Sequence, residues 1–361
     1  MNPLHLVPLA EPVPAEWGWL KLFLILGFTV HILMVNIVIG GGMISLFAGF
    51  DRKNSNFPVY SDLNQKLTAV FALAVNFGVL PFLFLQVLYG QFVYISSQLM
   101  AVYWLSAVLM TIIAYYSLYY SRFSEDTPAS AGNAAKGITV LLLLSIAFIF
   151  SNNMSLMLKP ETWAAFFTSP DGTLLNLSDP MLFPRYLHFV IASVAVGGLF
   201  VAIIQTRKAE KGDSCNEDAI ALGMKCFTIA TLFQIPAGFW FQMSLPREIM
   251  YLFLGKSPLH TAFFVLSLIL IIQSLYFGLK KAVWAAAYSL LVLVFAMTNM
   301  RDMVRTAFLD PFFSLQSLEI TGQYSPMLFF ALSLFITAGL ILYVLELARK
   351  ASQSEPERSA V

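Results

Sequence analysis

Long apolar runs are the feature that most constrains this sequence. The chain has 361 residues, of which 58% are hydrophobic and only 11% are charged, whereas about a quarter of the residues of a soluble domain are charged. The charged residues stand in short clusters, and the apolar runs between them reach about 20 residues, the length that crosses roughly 30 Å of hydrocarbon. The sequence therefore predicts an all-α, polytopic transmembrane helix bundle.

Nine segments are long and apolar enough to span a bilayer. The predicted spans are Gly18–Phe50, Lys66–Val93, Leu99–Ser121, Ala135–Leu158, Pro184–Thr206, Ala219–Met243, Leu259–Leu279, Ala282–Met303 and Ser325–Ala348. Residues 1–17 then form an extracytoplasmic leader, residues 18–348 a single transmembrane domain, and residues 349–361 a cytoplasmic tail. The leader contains no lysine or arginine, unlike a cleaved secretory signal, so we expect the first helix to be retained.

The lysines and arginines predict the orientation of the bundle. Of the 21 in the chain, seven lie on the side of the N-terminus: Lys21, Lys159, Arg185, Arg247, Lys256, Arg301 and Arg305. The remaining 14 lie on the other side, and an excess of basic residues marks the cytoplasmic side. The N-terminus is therefore predicted outside and the C-terminus inside, as an odd number of spans requires.

Composition also argues against several functional classes. The net charge is only +1 and no basic stripe is present, which argues against a nucleic-acid surface. Cys215 and Cys226 are too few, and too far from any histidine, for an iron–sulfur or zinc motif. Because there is no Cys-x-x-Cys-His stretch, any haem would be held non-covalently.

Two histidines lie inside predicted spans, His31 on the first and His188 near the outer end of the fifth. A polar residue in a bilayer needs a partner or a purpose. One interpretation is a hydrogen bond across helices or a place on a substrate path; the other is haem ligation, because neutral imidazole is a common axial ligand. The glycine runs Gly40–Gly42 and Gly197–Gly198 would let either a helix or a flat macrocycle approach closely.

The outer end of the eighth span carries a methionine- and arginine-rich stretch from Met297 to Arg305. Methionine is the common partner of histidine in electron-transfer haems. The eighth span runs outward and the fifth runs inward, so Met303 and His188 are expected at similar depth, with Arg301 available for haem propionates. The alternative is that the charged residues form an ordinary helix boundary and the methionines serve packing.

At these residues the chain resembles subunit I of the cytochrome bd quinol oxidases. The segment from His31 to Gly40 is similar to that family's first helix, Arg185–His188 to its fifth-helix segment, and Arg301–Val304 to its Arg-x-Met-Val motif. The resemblance implies that His188 and Met303 are the axial ligands of a low-spin haem b, with Arg301 beside it. It also implies that His31 binds a second haem, for which we find no trans ligand.

The sequence departs from that family where oxygen would be reduced. No Asp or Glu lies between Asp62 and Glu125, and the family's Gly-Arg-Gln-Pro-Trp-type stretch is missing. Because reduction of oxygen to water consumes protons, a buried oxygen site needs ionisable groups to deliver them. We therefore expect that this chain does not itself reduce oxygen.

These features lead to one hypothesis and two alternatives. We expect a haem b electron-transfer subunit of the bacterial inner membrane, with one or two haems, that oxidises quinol and passes electrons to an extracytoplasmic c-type cytochrome. Arg247 and Glu248, in the short loop Ser244–Pro258, could contact the quinone head group or form a simple surface pair. The alternatives are a haem-free quinone-binding anchor for a peripheral oxidoreductase and a small-solute transporter.

Overall fold

The computed structural model describes residues 5–50, 57–123, 129–168 and 170–354. Its α-helices are α1 Trp17–Phe50, α2 Phe57–Leu99, α3 Ala101–Phe123, α4 Ala129–Met157, α5 Leu182–Glu210, α6 Glu217–Ser244, α7 Arg247–Tyr251, α8 Pro258–Leu279, α9 Val283–Leu309 and α10 Tyr324–Ser354. Two 3₁₀ helices, Pro160–Phe167 and Leu315–Ser317, and a π-helical turn, Leu252–Lys256, lie between them.

The predicted all-α polytopic bundle is confirmed. Within the described ranges, nine helices are long and apolar enough to cross a membrane: α1–α6 and α8–α10. The described backbone pairs in strand fashion only at a bridge between Val13 and Ile320. This bridge ties the leader to the connection between α9 and α10. Met1–Leu4 and residues 355–361, at the ends of the predicted leader and tail, lie outside the described residues.

The predicted spans match these helices in order, but several helices are longer than predicted, and α9 and α2 show why. The eighth predicted span ended at Met303, whereas α9 continues to Leu309 because Val304, Arg305 and Leu309 are buried against the bundle. Helix α2 extends beyond both predicted ends and bends at Tyr89, whose φ of −137° and ψ of 29° are not helical. Hydropathy detects the apolar part of a helix, and packing beyond it sets the ends.

Helices α1 and α5 cross in direct backbone contact at glycines. A Cβ atom on Gly40 would lie 1.7 Å from the carbonyl oxygen of Ser193, and one on Gly197 would lie 2.3 Å from the carbonyl carbon of Gly40. Because no side chain could stand between these backbones, both positions require glycine. The sequence predicted that either a helix or a flat macrocycle could approach the glycine runs, and in the structure a helix does so.

Helix α5 meets α6 in the same way. A Cβ atom on Gly198 would lie 2.7 Å from the carbonyl oxygen of Gly223, and one on Gly223 would lie 2.5 Å from the carbonyl oxygen of Gly198. The adjacent glycines of α5 therefore serve two different neighbours, Gly197 facing α1 and Gly198 facing α6. This makes α5 the central helix and holds His188, two to three turns earlier, in a rigid frame.

Helix α10 lies at the margin of the bundle. None of the most apolar part of its span is buried by the rest of the described chain. Near its start, Phe330 contacts Phe23 of α1 and Phe84 of α2, with ring centroids 5.8 Å and 6.0 Å apart. The bundle that positions the candidate site is therefore formed by α1–α9.

Replacing Gly197 by alanine should destabilise the fold by about 1–3 kcal/mol, the usual cost of forcing extra atoms into a packed core. The measurement is the unfolding temperature of the purified protein in detergent. Gly339→Ala on α10 is the matched control, because a Cβ there meets nothing within 4 Å. Equal unfolding temperatures for the two variants would contradict the backbone contact.

Candidate functional site

His188 lies on α5 near its beginning, at the end of the bundle that the charge count assigns to the outside; we call this the outer end. Its ring packs over Gly238 of α6, where a Cβ atom would lie 3.5 Å from the ring carbon Cε1. Its Nδ1 is fully buried and has no hydrogen-bond partner among the described residues. Such an atom in a bundle interior is unusual, because buried polar atoms are normally paired.

The residue that fixes the backbone at His188 is Gln234 of α6. Its Nε2 donates a hydrogen bond of 2.8 Å to the His188 carbonyl oxygen, and its Oε1 is buried without a partner. Two unpaired polar atoms, the His188 Nδ1 and the Gln234 Oε1, therefore lie on the facing helices α5 and α6. A binding site without its ligand would leave polar atoms unpaired in this way.

Arg185 and Arg301 bring two positive charges to the same region. No described carboxylate forms an ion pair with either one, although Asp302 follows Arg301 directly in the chain. A guanidinium nitrogen of Arg185 is buried without a partner, and this side chain lies 5.6 Å from the ring centroid of Phe241. Arg301 lies 4.1 Å from the ring centroid of Phe28. The site is thus cationic and attractive to an anion.

The nearest carboxylate, Asp302, is already paired with other cations. One of its oxygens lies 2.8 Å from the Lys21 ammonium and the other lies 3.1 Å from the Arg305 guanidinium. Asp302 and Arg305 are almost completely buried, whereas Lys21 is partly exposed. This network ties α1 to α9 and leaves Arg301 without a neutralising partner.

A small cavity adjoins the network. It is lined by Leu24, Ile25, Phe28, Thr298, Arg301, Asp302 and Arg305. The cavity has a volume of about 10 Å³, which is roughly enough for one water molecule. The cavity as it stands is much smaller than a porphyrin or a quinone head group.

His31 lies deeper in the bundle, between α1 and α2. Its Nδ1 is 2.9 Å from the carbonyl oxygen of Ala74, and its ring packs over Gly78, where a Cβ atom would lie 2.7 Å from Cε1. A carbonyl oxygen only accepts hydrogen bonds, so Nδ1 is the protonated nitrogen and Nε2 carries the lone pair. Metal-binding histidines are commonly oriented by this kind of bond.

Met303 belongs to a different packing environment from His31 and Arg301. It packs against the buried cluster of Met181, Leu245, Ile249, Phe253 and Val304. Arg301 and Met303 are two residues apart and therefore project from nearly opposite sides of α9. Phe241 packs against the same cluster and also lies under Arg185, so it connects the surroundings of Met303 with those of α5.

Arg247 and Glu248 lie in the short helix α7 at the outer end. Both side chains are exposed, and they form no ion pair with described residues. The neighbouring Leu252–Lys256 turn is π-helical, with Gly255 at a φ of 113°. These two residues are thus accessible from outside the bundle, but they are not joined to the buried site.

A second buried carboxylate, Asp179, lies in the outer connection between α4 and α5. It accepts hydrogen bonds from Ser155, from the Lys159 ammonium at 2.8 Å and from the backbone nitrogen of Met181 at 3.1 Å. Burial alone would raise the pKa of Asp179, but the bonds from Lys159, Ser155 and Met181 outweigh it and lower the pKa below its usual value. Asp179 also attracts Arg185, although Lys159 already pairs with it.

Comparison with known proteins adds no assignment to this geometry. A scan of protein-family models and a search of curated proteins found no match to this chain. Within the described residues, no group of three or more His, Cys, Asp or Glu side chains could hold a metal ion. The similarity to cytochrome bd subunit I therefore stays a prediction from the quoted motifs.

The structure adds residues to the site that the sequence did not single out. Lys21 and Phe28 now belong to it, and Asp302 and Arg305 form a buried ion pair instead of an ordinary charged helix boundary. One signal was available: Asp302 is an acidic residue within a predicted span, and such residues usually have a buried partner. Its partner Lys21 could not be identified, because helix pairing is not visible in hydropathy.

Replacing Asp302 by asparagine should destabilise the protein by about 3–5 kcal/mol, the cost of leaving a buried charge unpaired. Thermal unfolding in detergent measures this change. Glu346→Gln is the matched control, because Glu346 forms an exposed ion pair with Lys350 at 2.7 Å and such pairs contribute at most about 1 kcal/mol. A loss no larger than that of the control would show that the Asp302 network is not stabilising.

Stability should also depend on the ionisation of Asp179. Because folding lowers the pKa of Asp179 from 3.8, its contribution is fully present above pH 3.8 and is lost as the pH falls through the lower folded value. Asp179→Asn should therefore unfold at a lower temperature than the unchanged protein at pH 7, and the difference should shrink below pH 3.8. A difference that stays constant as the pH falls would contradict this assignment.

Proposed function

We propose that this chain is a membrane-embedded haem b electron-transfer protein that oxidises quinol near its outer end and passes the electrons to an extracytoplasmic c-type cytochrome. The observation that carries the proposal is His188, whose buried Nδ1 has no described hydrogen-bond partner inside a membrane bundle. An unpaired imidazole is costly in hydrocarbon, and coordination to haem iron would remove that cost.

The charge of the site supports a dianionic ligand. The site holds Arg185 and Arg301, and neither forms an ion pair with a described carboxylate. Haem carries two propionates, and guanidinium groups bind carboxylates through two parallel hydrogen bonds. Arg185 precedes His188 by one helical turn, so an iron-binding imidazole and a propionate-binding guanidinium would come from the same face of α5.

The orientation of His31 supports a second haem. With its Nδ1 directed at the Ala74 carbonyl oxygen, Nε2 is left as the coordinating nitrogen. Gly78 lies beside this ring, and glycine allows a flat ligand or a ring to approach a helix closely. His31 would therefore hold a haem deeper in the bundle than the one at His188.

The residue types at the site suit a haem, but the space beside them is too small for one. His188, Met303, Arg185 and Arg301 are side chains that a low-spin haem b could use, but the cavity beside Arg301 has room for only about one water molecule. Met303 would also have to turn from its apolar cluster toward the ring of His188. Haem binding would thus require α5, α6 and α9 to separate from the packing described here.

The roles of the chain's own residues follow from their positions. When bound, haem b would supply a one-electron couple near the outer end. Arg185 and Arg301 would hold its propionates, and the Lys21–Asp302–Arg305 network would keep α1 and α9 together around it. Arg247 and Glu248, exposed on α7, would contact the quinone head group at the membrane surface.

The electron acceptor would dock on the outer connections. The described chain contains no soluble domain between its membrane helices, so a separate redox protein is needed. The connection from Lys159 to Phe183 exposes Phe166, Phe167 and Leu177, which suits contact with the membrane surface or with such a partner. Quinol oxidation at this end would also release the two quinol protons to the outside.

The purified protein should show the reduced-minus-oxidised absorption bands of a low-spin haem b. His188→Ala and Met303→Ala should each abolish or alter these bands, because each removes one axial ligand, while His31→Ala should leave them in place. The measurement is the difference spectrum of each variant in detergent. His260→Ala is the control and should leave the bands unchanged, because the His260 ring is already hydrogen-bonded to the Ser257 hydroxyl at 2.8 Å.

Two results would count against the proposal. A low-spin spectrum that survives both single changes, at His188 and at Met303, would exclude this ligand pair. A colourless, folded protein that remains so after haem is supplied would exclude haem binding and leave the quinone-binding anchor or the transporter. Unfolding temperatures of the same variants distinguish loss of a ligand from loss of the fold.

A further inference from the structure

A polar residue faces outward from the bundle on α2. Asn76 is exposed within the span Leu63–Leu99, and its Nδ2 donates a hydrogen bond of 2.8 Å to the carbonyl oxygen of Ala72 in its own helix. This leaves the second N–H and Oδ1 without a described partner. In hydrocarbon no water can satisfy them.

The depth of Asn76 follows from ring contacts between α2 and α3. Phe71 contacts Tyr115 at 5.6 Å, and Phe82 contacts Trp104 at 5.5 Å. Asn76 therefore lies level with the part of α3 between Trp104 and Tyr115. Since the span of α3, Ala101–Arg122, has 22 residues, close to the length that crosses a bilayer, Asn76 lies inside the membrane.

The residues around Asn76 form an apolar stripe with heptad spacing. The stripe, which we call the α2 seam, comprises Ala69, Leu73, Asn76, Leu80, Leu83 and Val87. Steps of four and three residues keep it on one side of the helix. Apart from Leu80, which is partly buried beside Gly27, these side chains are exposed, whereas Phe71, Ala74 and Leu85 on the opposite side are buried.

We propose that the α2 seam is the interface between two copies of this chain. A carboxamide is both donor and acceptor, so two Asn76 side chains can each give their free N–H to the Oδ1 of the other across a two-fold axis. Two copies inserted in the same orientation place Asn76 at the same depth without further adjustment. A single asparagine in an apolar heptad seam is also a known means of specifying register.

The first test is self-association of the purified full chain in mild detergent, measured by light scattering over a dilution series. The unchanged protein should form a dimer, and Asn76→Leu should dissociate about 10-fold more readily, as loss of interhelical hydrogen bonds in a membrane predicts. Gln273→Leu, at another exposed amide on α8, should leave the dimer unchanged. A monomeric unchanged protein, or dissociation by Gln273→Leu instead, would overturn the proposal.

The second test does not depend on how well Asn76→Leu folds. With the exposed Cys215 replaced by serine, Leu83→Cys on the α2 seam should form a disulfide-linked dimer in native membrane vesicles under mild oxidation. Leu109→Cys, at a side chain of α3 that is 63% exposed, is the control and should remain monomeric. Equal crosslinking of both variants, or none at Leu83→Cys, would show that α2 does not pair. Neither test requires haem, so both are independent of the proposed function.

Discussion

Hydrocarbon offers no hydrogen bonds, and this constraint shapes the whole structure. Within the described residues, backbone groups are satisfied in nine long helices, and many polar side chains in those helices bond to a carbonyl oxygen of their own or a neighbouring helix, as Thr29, Ser193 and His31 do. Buried polar atoms without partners occur in several parts of the bundle, and those of His188, Arg185 and Gln234 lie together at the outer end. Asn76 adds an exposed carboxamide on the surface of α2.

Glycine contacts convert this constraint into a rigid frame. The crossing of α1 and α5 at Gly40 and Gly197 allows no side chain between the backbones, and the contact at Gly198 and Gly223 does the same for α5 and α6. The two histidines inside the spans also pack on glycines of neighbouring helices, His31 on Gly78 and His188 on Gly238. A Cβ atom at Gly78 would lie 2.7 Å from the His31 ring and would displace it.

The outer end concentrates charge that the rest of the bundle excludes. Lys21, Asp302 and Arg305 neutralise one another in part, whereas neither Arg185 nor Arg301 forms an ion pair with a described carboxylate. Burying such charges is expensive unless they are paired. A ligand with negative groups would lower this cost, and the haem proposed above is one ligand of that kind.

The sequence by itself determined the number and order of the spans, because apolar length is a local property that the membrane reads directly. It also identified His31, His188, Arg301 and Met303 as residues that need explanation. Only the tertiary structure decided that Lys21 pairs with Asp302, that Ala74 orients His31, that α9 runs on to Leu309, and that Asn76 faces outward. These depend on which helices are neighbours and how each is rotated, and hydropathy carries little information about either.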